Sequence, residues 1–284
     1  MPELPEVETV RRGLERTIVG KTIASVEIRV PKMFQGDSTQ LINSSVIGVE
    51  RRAKVLLVRF DNEWTLAIHL KMTGQIIVVG TGSAGFVAGH PEKAYEQPLP
   101  HKHTHVTIGF DDGATLYYND LRKFGWFRLM PTEDVGSFLV AMKHGPEPLS
   151  DEFTLEGFRT ALKRRRIPIK TALLDQTIVA GVGNIYADEA LFAAKIRPTR
   201  KASSLTGVQI ERLYHAVKTV LELGIKHGGT SMNTYVNVEG TKGAMRDHLK
   251  VYGREGLPCE VCGNPIERIK LGQRSSHYCP GCQR

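Results

Sequence analysis

The feature that most narrows what this chain can become is the spacing of its four cysteines: Cys259-x2-Cys262 and, after sixteen intervening residues, Cys279-x2-Cys282. Each pair offers two thiolates from one tight turn, and four thiolates complete the tetrahedral shell of a structural zinc. All four lie in the last 26 residues. No disulfide framework therefore runs through the rest of the chain, and a tail this short needs its metal to fold. The spacing offers no further ligand, which argues against an open catalytic metal, and His277 reads as a surface or packing residue. Between the pairs, Ile266 to Leu271, a Gly272-Gln273-Arg274 turn and Ser275 to Tyr278 predict a two-stranded hairpin. Residues 241–284 carry eight Lys or Arg against four Asp or Glu, a net +4. Arg274 at the tip is placed to reach a phosphate or a base, or to face solvent.

The whole chain of 284 residues has 38 basic and 30 acidic side chains, a formal +8. That length accommodates two domains and a small third module. The charge favours a polyanionic partner but also fits an ordinary basic enzyme. No window approaches the roughly 20 apolar residues of a membrane span, and the N-terminus lacks a signal-peptide pattern. A cytosolic protein with no membrane partner is expected.

The chain opens Met1-Pro2-Glu3-Leu4-Pro5-Glu6. Removal of Met1, which a small second residue permits, would leave Pro2 with a secondary amine able to attack an aldehyde and form an iminium. A terminal amine titrates near ~8 against ~10.4 for lysine, and the positive end of a following helix lowers it further. Glu3 beside it can shuttle protons. If Met1 is retained, the proline nitrogen is an amide and this chemistry is closed. The plain alternative is that Pro2 and Pro5 start a helix with an acidic first turn.

Val7, Val10, Leu14 and Ile18 recur at helical steps up to Gly20. From Thr22 to Phe127 short apolar runs alternate with turn signals, among them Asp111-Asp112-Gly113. The expectation is a mostly antiparallel sandwich or flattened barrel with the N-terminal helix against it. Gly80 to His103, rich in glycine and proline and without a period, reads as a long loop. Helical periodicity returns at Phe153 to Lys163, Ile169 to Leu174, Ile185 to Ala194 and Gly207 to His227. Between the second and third of these, Gln176 to Asn184 is a glycine-bearing connection. It is either a plain link or a phosphate-binding turn in which Asn184 caps the next helix or donates to the phosphate. The expected segments are a catalytic β-sandwich domain at 1–131, a linker at 132–150, a helical domain at 151–240 and a zinc hairpin at 241–284.

Together these pieces resemble the bacterial formamidopyrimidine-DNA glycosylases. The resemblance runs through Pro2-Glu3-Leu4-Pro5-Glu6-Val7-Glu8-Thr9, Lys54, His69-Leu70-Lys71-Met72-Thr73-Gly74, Asp120-Leu121-Arg122-Lys123-Phe124-Gly125, Gly181 to Leu191 and the cysteine hairpin. It implies an α+β multidomain fold with a helix-two-turn-helix and one structural zinc. The implied activity is that of a bifunctional glycosylase and AP lyase acting on oxidised purines in double-stranded DNA, without a nucleotide cofactor.

By that resemblance Pro2 is the Schiff-base nucleophile, Glu3 the acid/base and Lys54 the lysine that holds phosphate near the lesion and assists strand cleavage. Arg274 joins both this catalytic set and the phosphate contacts His69 and Asn184. His103, Arg166 and Lys170 fall where the family also meets DNA. Met72, Arg122 and Phe124 match residues that fill the gap left by an extruded nucleotide. Read without the resemblance, Lys54 is a solvent-facing strand-start lysine, and Met72 and Phe124 are core residues. Glu6 matches a structural glutamate, and a lesion-covering loop is expected within Thr230 to Arg246. The implied setting is a monomer in the bacterial cytoplasm, held to the nucleoid by its DNA. Two rivals remain: an endonuclease VIII type enzyme preferring oxidised pyrimidines, and a non-catalytic zinc-hairpin protein that binds bent or damaged DNA.

Overall fold

In the computed structural model, which describes residues 2–80, 85–90, 92–230 and 245–284, the chain divides into two compact units. The first comprises Met1–Ala141 with His227–Ala244, and the second Met142–Lys226 with Met245–Arg284.

The first unit begins with helix α1 (Leu4–Ile18), opened by a reciprocal capping box in which Glu6 accepts the Glu3 N–H at 2.8 Å and Glu3 accepts from Glu6. Two orphan donors of the first turn are thereby satisfied. The apolar stripe Leu4, Val7, Val10, Leu14 and Ile18 is buried. It joins one core with two five-stranded sheets. One sheet has the order β1 (Ile23–Ile28), β8 (Thr104–Phe110), β9 (Thr115–Asp120), β6 (Gly74–Val79) and β7 (Phe86–Gly89). The other has β2 (Phe34–Gln35), β10 (Trp126–Pro131), β5 (Trp64–His69), β4 (Val55–Phe60) and β3 (Val46–Arg52). Every pairing is antiparallel except the short β10–β2 contact. The expected sandwich with a helix against it is what forms, because period-2 runs bury one face of each sheet and α1 supplies a matching stripe.

The stretch from Gly80 to His103 departs from the long loop expected of it. Among the described residues it contains β7, paired with β6, and a 3-10 turn at Lys93–Tyr95. Four residues are too few to display a period, so burial rather than sequence reveals the strand. Phe86 lies so close to α1 that a Cβ on Gly13 would sit 1.7 Å from its ring, which explains a glycine in mid-helix. The 132–150 segment likewise carries a helix, α2 (Val135–Ala141).

The second unit holds α3 (Leu155–Lys163), α4 (Ile169–Leu174), α5 (Asn184–Ala193), α6 (Gly207–Lys226), the short α7 (Met245–His248) and the hairpin β11 (Glu267–Leu271) and β12 (Arg274–Tyr278). Thr154 caps α3 by accepting the Gly157 N–H at 3.1 Å. The helical segment and the zinc hairpin thus share one compact unit, and His227–Ala244 groups with the sandwich. No helix among the described residues is long and apolar enough to cross a membrane.

Glu8 is gathered by three guanidiniums, Arg12 at 2.9 Å, Arg51 at 3.0 Å and Arg11 at 3.1 Å. Burial opposes its charge, but these hydrogen bonds outweigh it and hold the carboxyl below its usual range. A depressed carboxyl adds stability that is present above its unfolded value and is lost as pH falls through the folded one. Glu8→Gln should therefore cost about 1–3 kcal/mol near pH 7, and the gap from wild type should close below about pH 4. Urea unfolding at both pH values measures this.

Candidate DNA-repair site

The N-terminal chemistry sits on a fixed support. Pro2 is buried, and Glu3 and Glu6 are 2% and 3% exposed. Besides the Glu3 N–H, the Glu6 carboxylate accepts the Thr230 N–H at 2.8 Å and its hydroxyl at 3.1 Å. Gly229, with φ +80°, would bring a Cβ within 2.7 Å of the same carboxylate, so the close approach requires glycine. Glu6 thus binds the start of α1 to the residue that precedes 231–244. Most of the expected lesion-covering loop lies outside the described residues.

Lys54 lies in the two-residue β3–β4 turn, after Ala53, which is left-handed at φ 51°. It is 6% exposed, not solvent-facing as an isolated strand-start lysine would be. The next residue, Val55, pairs with His69, and His69 in turn pairs with Trp126. Three strand ends therefore bring Lys54 and His69 to one sheet edge. His69 accepts the Lys71 N–H on Nδ1 at 2.9 Å, and its ring packs 5.5 Å from Trp126. The acceptor role leaves the proton of a neutral ring on Nε2.

Met72, Arg122 and Phe124 come together at two neighbouring loops. Arg122 Nη1 lies 3.0 Å from Met72 Sδ, and its guanidinium stacks 4.7 Å over the Phe124 ring. Phe124 is 53% exposed and Met72 half-buried, so neither is a core residue. The support beneath is Asp120, fully buried. Its carboxylate accepts from the Thr73 hydroxyl, from Arg122 N–H at 3.1 Å and from Gly125 N–H at 2.7 Å. Its carbonyl accepts from His105 Nε2 at 2.8 Å. Burial pushes His105 and His101 below the ordinary histidine range, so both are neutral near pH 7. His103 is half-buried beside them, its ring 5.9 Å from that of His101.

In the second unit, Arg166 and Arg274 are exposed. Gly183, not Asn184, is the N-cap of α5, and Asn184 is its first helical residue with Oδ1 buried and unpartnered among the described residues. The preceding turn is organised by Gln176, whose amide accepts the Gly181 N–H at 2.9 Å and donates to the Val182 carbonyl at 2.9 Å.

Lys170 is the correction. It is 1% exposed, and its ammonium lies 2.7 Å from Asp188 Oδ1 and donates to the Ser275 carbonyl at 2.7 Å. A charge committed inward is a brace for the fold and not a surface phosphate contact. Asp188, fully buried, also accepts from Ser276 Oγ at 2.8 Å and from the His277 N–H at 2.9 Å. Its neighbour Glu189 accepts from the N–H groups of Lys250, Val251 and Tyr252 at 2.8–3.0 Å. Burial nevertheless pushes the Glu189 carboxyl up. Sequence reading passed over both acids. The available signal was an acidic pair inside the apolar run Ile185 to Ala194.

The four cysteine sulfurs lie within 4.8 Å of one another, with Cys262–Cys279 at 3.3 Å and Cys259–Cys282 at 3.9 Å. Tetrahedral zinc with bonds of about 2.3 Å needs sulfurs about 3.8 Å apart, so the cluster fits one structural zinc. Bound there, zinc supplies cross-linking and leaves no coordination position for chemistry.

Asp188→Ala strands the buried Lys170 charge and should destabilise the second unit by about 3–5 kcal/mol, whereas Arg274→Ala should stay within about 0.5 kcal/mol. Urea titration followed by circular dichroism separates the two. Chelation should release one zinc per chain together with loss of hairpin structure, which a colorimetric metal assay with parallel near-UV spectra reads.

Comparison with known proteins matches the chain in three segments. Residues 1–127 match the model of the formamidopyrimidine-DNA glycosylase N-terminal domain, 144–236 that family's H2TH domain, and 256–284 the zinc finger found in FPG and IleRS. The formamidopyrimidine-DNA glycosylase of Herpetosiphon aurantiacus is 45% identical over 289 aligned residues, covering 100% of both chains. Lactococcus lactis Fpg in complex with DNA containing an abasic site superposes with a TM-score of 0.88 at 38% identity, covering 99% of each chain. A mutant of the same enzyme on Fapy-dG-containing DNA gives 0.88 at 38%, covering 100% of each. A match that spans the sandwich, the helical segment and the zinc hairpin alike makes this chain a member of the formamidopyrimidine-DNA glycosylase family.

Proposed function

We propose that the protein is a bifunctional DNA glycosylase and AP lyase that removes oxidised purines, 8-oxoguanine and formamidopyrimidines, from duplex DNA in base excision repair. The observation that carries this reading is the fixed start of the chain, where Pro2 and Glu3 are buried and the Glu6 carboxylate ties the Glu3 N–H to Thr230.

With Met1 removed, the Pro2 amine attacks the anomeric carbon as the bond to the damaged base breaks. Glu3 delivers a proton to the sugar ring oxygen, and the opened sugar is carried as an iminium on Pro2. The iminium acidifies the adjacent carbon. Loss of that proton expels the 3′ phosphate, a second elimination expels the 5′ phosphate, and a one-nucleoside gap remains. Lys54, buried in the β3–β4 turn at the end of the sheet, holds phosphate near the lesion and assists strand cleavage. Before any of this the nucleotide must leave the stack, because an amine cannot reach the sugar of a paired base. Met72 and Phe124 are the wedges for that step, and Arg122 pairs with the estranged base. His69, His103, Arg166, Asn184 and Arg274 hold phosphates, a term that weakens with salt. The zinc hairpin presents Arg274 and takes no part in the chemistry. The setting proposed is a monomer in the bacterial cytoplasm, on the chromosome.

Borohydride trapping on duplexes carrying 8-oxoguanine opposite cytosine, an oxidised pyrimidine or no lesion tests the reading, using protein shown by mass to begin at Pro2. The expected result is a covalent adduct mapped to Pro2, strongest with the oxidised purine. Pro2→Gly should lose the adduct, and Glu3→Gln should slow turnover by about 10²–10⁴. Stronger trapping on the pyrimidine would reassign the substrate to the endonuclease VIII class. No adduct on any duplex would sink the lyase and leave a binding protein.

A further inference from the structure

The gap-filling residues sit on two separate loops, each of which crosses from one sheet to the other. Met72 lies between β5 and β6, whereas Arg122 and Phe124 lie between β9 and β10. The Gly74–Asp120 pairing sets the two loops side by side. Each contains a lysine in the left-handed region, Lys71 at φ 50° and Lys123 at φ 55°. Side chains rarely adopt that conformation unless their surroundings over-determine it. Asp120, at the end of β9, supplies one restraint, accepting from Arg122 and Gly125 of the loop that follows it and from the Thr73 hydroxyl of the other. A second restraint comes from a third segment of chain.

That segment is the 3-10 turn ending at Tyr95, a residue that composition and motif reading passed over. Tyr95 is 7% exposed. Its hydroxyl accepts the Leu121 N–H at 2.7 Å and donates to the Thr73 carbonyl at 2.6 Å. One oxygen therefore joins the backbone beside Met72 to the backbone beside Arg122. A phenol suits the task because its hydroxyl is donor and acceptor at once, on a ring with few rotatable bonds. The ring is itself held, stacked 5.8 Å from His101 and edge-on 6.1 Å from His103. Burial pushes the phenol up to about 12, so it remains a donor at any working pH.

We infer that Tyr95 is a positioning residue for base extrusion: its hydroxyl clasps the two loops so that Met72, Arg122 and Phe124 enter the base stack as one preformed wedge. The inference rests on the gap-filling reading of those three residues. Unstacking a base step is costly, and a wedge that also had to order itself on entry would add its own entropy to the barrier. Without the hydroxyl the Thr73 carbonyl and the Leu121 N–H lose their shared partner, and the loops are left joined by the Thr73 hydroxyl, which donates to Asp120 and accepts the Arg122 N–H at 3.1 Å, a looser link than the two together.

The test is Tyr95→Phe, which keeps the ring and its stacking. Single-turnover excision of 8-oxoguanine paired with cytosine should slow about tenfold, the size of one lost hydrogen bond of this kind. The fluorescence rise of 2-aminopurine beside the lesion, which reports unstacking, should slow with it. Cleavage of a preformed abasic site, which has no damaged base to extrude, should stay within about twofold. In an Arg122→Ala background the same change should add less than about twofold, because the wedge is already broken.

Equal losses on the paired lesion and on the abasic site would make Tyr95 a general support of the fold and overturn the inference. So would a Tyr95→Phe enzyme with unchanged excision when Arg122→Ala alone is slow. If Arg122→Ala leaves excision of the paired lesion untouched, the gap-filling reading fails and takes the clasp with it.

Discussion

The carboxylate of Glu6 is the interaction from which the catalytic end of this protein is built. It accepts the Glu3 N–H at one end of its reach and Thr230 at the other. An N-terminus is ordinarily the loosest part of a chain. Here the capping box makes the first two functional residues an extension of α1, so their position is set by the helix and the helix is set by the core stripe beneath it. If Pro2 is the nucleophile, as proposed, it would lose little freedom on meeting the sugar, which is where much of an enzyme's advantage in a covalent step originates. Helix propensity, core packing and catalysis are therefore one argument along Leu4–Ile18.

The same device recurs deeper in the molecule. Asp120 and Asp188 are fully buried carboxylates, each accepting from several donors that lie on neighbouring segments. Burying a charge is costly unless it is paired and hydrogen-bonded. Asp120 is satisfied by backbone and hydroxyl groups of the two loops beside it, and Asp188 by the Lys170 ammonium and by groups of strand β12. Asp120 shapes the loop of Arg122 and Phe124, and Asp188 with Lys170 seats the strand that begins at Arg274. The exposed side chains proposed to meet DNA are thus aimed by acids that never meet solvent.

This arrangement explains why a protein of net +8 keeps so many acids near its functional residues. Eight or so surplus positive charges give attraction to a polyanion without direction. Direction comes from fixed backbone geometry, and in this chain carboxylates fix it.

The local features were legible because they are written in adjacent residues. The cysteine spacing determined the zinc hairpin, the helical period determined α1 and α3 to α6 nearly to the residue, and the Asp111-Asp112-Gly113 turn determined the β8–β9 hairpin. The chemistry proposed for the Pro2-Glu3 start and for Met72, Arg122 and Phe124 rests on resemblance, and the structure adds their local geometry. What only the tertiary structure decided is which polar groups face inward. Lys170 and Lys54 look like surface lysines one residue at a time, yet both are buried. Tyr95 and the strand Phe86–Gly89 lie in a stretch that carries no period, and their roles exist only because β6, α1 and two distant loops converge on them. Periodicity records a neighbour three or four positions away. A hydrogen bond spanning 26 residues, such as Tyr95 to Leu121, leaves no trace in spacing and is settled by packing alone.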